Sequence, residues 1–145
     1  MLFGSNKQEV RTLYFDAWYK NQNKKNILTA LETQIIDIIL FHPEYIKIFE
    51  DVKNQEKYSD KDYLPESGET NPFLHMGLHL AIRDQIGTNK PIGIQKIFLD
   101  LCNKTQDQHQ AEHLFIEQLA EQLWLAQKNQ QDFNSEDYLL ALKKL

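Results

Sequence analysis

Residues 71–86, NPFLHMGLHLAIRDQI, constrain this chain more than any other stretch. Asn71 is a helix N-cap residue, and Pro72 stands at the first helical position, where its missing N–H and fixed φ are tolerated. Apolar residues then run almost without a break to Ile82. At about 100° per residue they cover every face of the first three turns, which predicts a helix buried all round. Inside it sit His75 and His79, one turn apart on the same side. A buried polar group without a partner is costly, so these imidazoles require either a metal or a hydrogen-bond network.

Similar helical spacing recurs along the rest of the chain. Val10, Leu13, Tyr14, Ala17 and Trp18 mark a first amphipathic helix over about Gln8–Asn21. Leu28, Leu31, Ile35, Ile38 and Ile39 line one face of a second, over about Asn26–Phe41. His42 continues that stripe, and Pro43 disfavours helical geometry at His42 while opening a short third helix, PEYIKIFEDV. From Lys53 to Thr70 the chain is polar and turn-rich, anchored by Tyr58, Tyr63 and Leu64. A connection of this length suits a lid or binding loop, or a solvated excursion. After the central helix, Pro91 and Ile92 open another that reaches Cys102. A long helix follows from about Thr105 to Lys128, and Asn134 or Ser135 caps a C-terminal helix with acids in its first turn and lysines in its last. No strand pattern, repeat or low-complexity segment interrupts this. The chain is predicted to be all-α, a single domain over residues 1–145 forming one irregular bundle of six or seven helices, with a long polar loop at about 53–70.

The bulk properties narrow the function classes. With 41% hydrophobic and 26% charged residues the chain is ordinary for a globular protein. Its net charge of −5, with only Lys24–Lys25 and Lys143–Lys144 as basic pairs, argues against a nucleic-acid surface. It has no apolar run of transmembrane length and no secretory h-region at MLFGSNKQEVR. The single cysteine, Cys102, excludes an intrachain disulfide, suits a reducing cytoplasm and reads as a small core residue in an apolar run. The expectation is a cytoplasmic protein with neither nucleic-acid nor membrane partners. None of the four serines sits in a nucleophile elbow, and there is no glycine-rich phosphate loop.

The five histidines carry the chemistry. Four of them form two pairs at i, i+4: His75 with His79, and His109 with His113. Random placement yields roughly 0.1 such pairs in a chain of this length. Residues four apart on a helix lie close enough for both imidazoles to reach one cation. His113, Glu117 and Glu121 continue at the same step, although by the 3.6-residue period Glu117 drifts about 40° and Glu121 about 80° off that side. The apolar face of this helix comprises Ile116, Leu119, Ala120, Leu123 and Trp124, with His109 inside it. Glu112 falls on the other side of that face and is left out of the candidate set. The metal candidates are therefore His75, His79, His113, Glu117 and His109, with His42 and Glu121 as a possible outer layer; Glu121 could instead be solvated or paired with Arg83. Imidazoles with one carboxylate suit zinc, iron, manganese or nickel. Position 76 is Met, so the HExxH motif is absent, as are the paired ExxH motifs of di-iron bundles.

The strings HPEY (42–45), NPFLHMGLHLAI (71–82), KPIGI (90–94) and AEHLFIEQLAEQLWLAQ (111–127) resemble, in order and spacing, the bacterial family catalogued as domain of unknown function 1841. The resemblance spans nearly the whole chain, and NPFLH-x3-H is its most specific part. It implies a small cytoplasmic bacterial protein, and its polar positions map onto His42, His75, His79, His113, Glu117 and Glu121. The family pattern carries a second histidine directly after HPEY. This chain has Ile46 there, so a site that used that histidine is either incomplete or built differently here.

Two functions remain open. One is a metal-binding bundle, acting as a metal-dependent hydrolase or transferase. The other is a non-catalytic helical adaptor whose histidines form a structural network, with Leu13–Tyr19 or the tail Tyr138–Leu145 as its partner surface unless those faces pack internally. The network alternative implies no bound metal and stability that falls below about pH 6.5 as buried neutral rings charge. No residue is assigned a catalytic role from the sequence.

Overall fold

Capping side chains set where most of these helices begin. The computed structural model describes residues 6–24, 27–51, 53–63 and 70–145, and among them are eight helices and no strand. Their contacts divide into two compact units, residues 1–77 and 78–145. No helix among the described residues is long and apolar enough to cross a membrane.

The first unit holds α1 (Lys7–Asn23), α2 (Ala30–Leu40), α3 (Pro43–Glu50), α4 (Asn54–Ser59) and the start of α5 (Pro72–Thr88). Asn6 caps α1 by accepting from the Glu9 amide. Thr29 and Glu32 form a capping box at the start of α2, each side chain satisfying the other's backbone N–H. The expected start, Asn26, lies outside the described residues. Lys20 on α1 reaches the Glu32 carboxylate at 2.8 Å, tying the first two helices together. The core is aromatic: Phe15 packs on Phe49 with centroids 4.8 Å apart, and Tyr14 meets Phe73 edge-on at 5.7 Å. Tyr14, Phe15, Ala17 and Trp18 are all buried, so the face offered as an adaptor surface at Leu13–Tyr19 is largely consumed within this unit.

The expected loop after Lys53 contains a helix of its own, α4. Arg11, itself buried on α1, donates from one guanidinium nitrogen to the carbonyls of Tyr58 and Lys61, both at 2.7 Å. Its guanidinium also lies 4.9 Å from the Phe73 ring centroid and 5.6 Å from that of Tyr63. Local composition gives no hint of this, because the stabilising partner is 47 residues away in sequence. Residues 64–69 of the expected loop, with the anchor Leu64, lie outside the described residues.

The second unit comprises the rest of α5, then α6 (Ile94–Thr105), α7 (Gln108–Lys128) and α8 (Ser135–Lys143). Ile82, Ile94, Phe98, Phe115, Ile116, Leu119, Tyr138 and Leu142 form its core. The sixth helix begins at Ile94 rather than Pro91. Gly93 adopts φ +101, a left-handed geometry that halts an earlier start. Asn89 accepts the amides of Gly93 and Gln95, both at 3.1 Å. Asp107 caps α7, and Asn134, rather than Ser135, caps α8. The tail buries Tyr138 and Leu142 within this unit, leaving Leu140 exposed.

Two apolar faces depart from expectation. Helix α5 buries Phe73, Met76, His79, Leu80 and Ile82 but leaves Leu74 57% exposed, so it is not enclosed on all sides. Helix α7 buries Ala111, Glu112, Phe115, Ile116 and Leu119, whereas Ala120, Leu123 and Trp124 are exposed. Its inward face is thus rotated from the one its whole length suggests, because only its N-terminal half is packed.

The Lys20 ammonium and then the Thr29 amide hold the Glu32 carboxyl below its ordinary value. A lowered folded value contributes stability above the unfolded carboxylate range, about pH 4.3, which is lost as pH falls through the folded value. Urea unfolding at pH 7 and pH 3 is expected to show a smaller difference between the two pH values for Glu32→Gln than for wild type. Thr29→Ala is expected to cost about 1 kcal/mol at pH 7.

Candidate metal centre

Pro43 sets the first part of the site. The residue before a proline is pushed out of helical geometry, and His42 takes φ −125, ψ 79 at the N-cap of α3. Its ring turns back on α2, where Nδ1 lies 2.7 Å from the Ile38 carbonyl oxygen. A ring nitrogen that close to a carbonyl donates, so in neutral His42 Nδ1 carries the hydrogen and Nε2 presents its lone pair. That Nε2 sits 3.1 Å from Nε2 of His75. Tyr45 covers the pair, stacked on His42 with centroids 4.9 Å apart and 11° between planes.

One turn further along α5, His79 is fully buried. Its Nδ1 is 2.6 Å from Glu112 Oε1, which also accepts from Arg83 Nε at 2.9 Å. Burial by itself raises the Glu112 carboxyl, but the hydrogen bond from His79 and the charge and hydrogen bond of Arg83 outweigh it, so the group is held below its ordinary value and stays ionised. An ionised acceptor fixes Nδ1–H on His79, so in the neutral ring Nε2 is the lone-pair nitrogen. Around His79 lie two further rings, His113 edge-on at 4.8 Å and His109 stacked at 5.7 Å, and those two meet at 4.2 Å.

One ring nitrogen from each of His42, His75, His79 and His113 falls within 4.8 Å of the others, a set that could hold a metal ion. The His42–His75 separation of 3.1 Å is close to the roughly 3.3 Å between two imidazole nitrogens bound tetrahedrally at a zinc–nitrogen distance of about 2.0–2.1 Å. A histidine that binds metal commonly donates its other N–H to a carbonyl or carboxylate. His42 does so to Ile38, and His79 to Glu112.

Of the remaining sequence candidates, His109 stacks beside the set without being one of the four. Glu117 and Glu121 are exposed on α7 and lie outside it. Arg83 is engaged with Glu112. Two placements escape a reading by spacing alone. His42 enters the set rather than flanking it, because the His-Pro junction bends the chain back. Glu112 is inside because α7 buries its first three turns only; its projection between His109 and Phe115, both directed inward, is the signal that marks it.

A family model for a domain of unknown function, DUF1841, matches residues 6–144. The chain is a DUF1841 protein. That match takes in every histidine of the set. No curated protein and no solved structure matches this DUF1841 chain.

Glu112→Ala leaves the His79 N–H and the Arg83 guanidinium without their shared acceptor and is expected to cost about 3 kcal/mol in chemical denaturation. Glu117→Ala and Glu121→Ala, on the exposed face of the same helix, are expected to change stability by less than about 0.5 kcal/mol.

Proposed function

We propose that this protein binds one divalent transition-metal ion through His42, His75, His79 and His113, with Ile38 and Glu112 fixing the orientation of the first and third rings. What supports the reading is the convergence of four ring nitrogens, in which two buried rings already have their Nδ1–H committed to oxygen acceptors. An all-imidazole set suits zinc, iron or nickel better than manganese, which prefers oxygen ligands. Glu117 and His109 stand as reserve ligands that would need side-chain movement to join.

A cation held this way would supply Lewis acidity and lower the pKa of a bound water, the chemistry of metal-dependent hydrolases and transferases, and this is the class we propose. That chemistry needs a position left for water or substrate, and zinc can expand from four ligands to five. The second reading, a non-catalytic adaptor with a structural polar network, draws on the same contacts. Ile38, Glu112 and Arg83 satisfy ring and carboxylate groups without any ion.

Elemental analysis of untagged protein separates the two. One equivalent of zinc, iron or nickel is expected, retained through gel filtration and lost in the folded double variant His75→Ala and His113→Ala. The same protein holding no stoichiometric metal after reconstitution with each ion would leave the structural network.

A further inference from the structure

Within residues 1–77, α3 and the segment around α4 line a cleft of about 430 Å³, the size of a small-molecule site. Three of its walls are tyrosines, Tyr45, Tyr58 and Tyr63, and its charged residues are Lys47, Lys61 and Glu44. Two lysines against one glutamate make this lining net positive in a chain whose overall charge is −5. The Lys61 ammonium lies 5.3 Å from the Tyr58 ring centroid and 5.0 Å from that of Tyr63, so cation and rings face the same space. The wall is built, not incidental, because buried Arg11 clamps the carbonyls of Tyr58 and Lys61. Tyr45 belongs to the cleft and to the metal centre at once, with its ring against His42 at 4.9 Å and edge-on to His75 at 6.3 Å.

We propose that this cleft binds the substrate of the metal centre, a small molecule with a planar unsaturated body and a single negative charge, such as an aromatic carboxylate. The rings of Tyr45, Tyr58 and Tyr63 take the planar body by stacked or edge-on contact. Lys47 and Lys61 take the charge, while Glu44 at the same cleft disfavours a dianion. The proposal rests on the metal reading above, and the test keeps the two apart.

The probe is 2-naphthoate, titrated into the full chain with and without zinc while amide 1H–15N spectra are recorded and zinc content is measured by elemental analysis. Saturable shifts are expected at Tyr45, Tyr58 and Lys61. Neutral 2-naphthamide and the folded variant Lys47→Gln with Lys61→Gln are each expected to bind about ten-fold more weakly, the worth of one charge-assisted contact. The variant should keep its zinc, and Lys47→Arg with Lys61→Arg should keep naphthoate affinity. A zinc-loaded protein that shows no saturable naphthoate binding, or binds naphthamide equally well, overturns the proposal and leaves the metal centre standing. Lysine-dependent naphthoate binding by a protein that takes up no zinc keeps the cleft as an anion site but overturns its assignment as a substrate pocket, and it is then the metal reading that has failed.

Discussion

The hydrogen bond between His79 and Glu112 is the contact on which the interior of the second unit depends. A carboxylate and an imidazole have both been removed from water there, and neither could remain without the other and Arg83. The same bond has a chemical consequence. By fixing the hydrogen on Nδ1 it determines which nitrogen of His79 is basic, and it does so on a ring held in place by the helix around it. His42 is treated in parallel by a backbone carbonyl. A polar contact that the fold requires for stability therefore also prepares two rings for a cation.

Much of this was legible from residue pattern. Asn71 and Pro72 announce the start of α5, and the phenylalanine amide and the next one do bond to the Asn71 side chain. The His-Pro junction marks the break between α2 and α3. The i, i+4 pairs single out helices α5 and α7 as the carriers of the histidines. Each of these signals is local, and local signals are set by backbone geometry that a few neighbouring residues control.

What escaped was set by contacts distant in sequence. The rotation of α7 could not be read from its periodicity, because Leu123 and Trp124 are as apolar as Phe115 and Ile116 yet remain at the surface. Averaging over the whole helix swung its expected face toward the unpacked end, which carried Glu117 inward and Glu112 outward. The short helix α4 was hidden for a related reason. Its polar sequence has little tendency to order itself, and the carbonyls it presents are held by Arg11 on α1.

The most direct measurement is the protonation state of the rings themselves, from two-bond 1H–15N correlation spectra of the metal-free protein at neutral pH. The neutral forms of His42 and His79 are expected to carry hydrogen on Nδ1, and their Nε2 resonances should be the ones that shift when zinc is added. Hydrogen on Nε2 of both rings, or no Nε2 response to zinc, would contradict the preparation of these histidines for a metal.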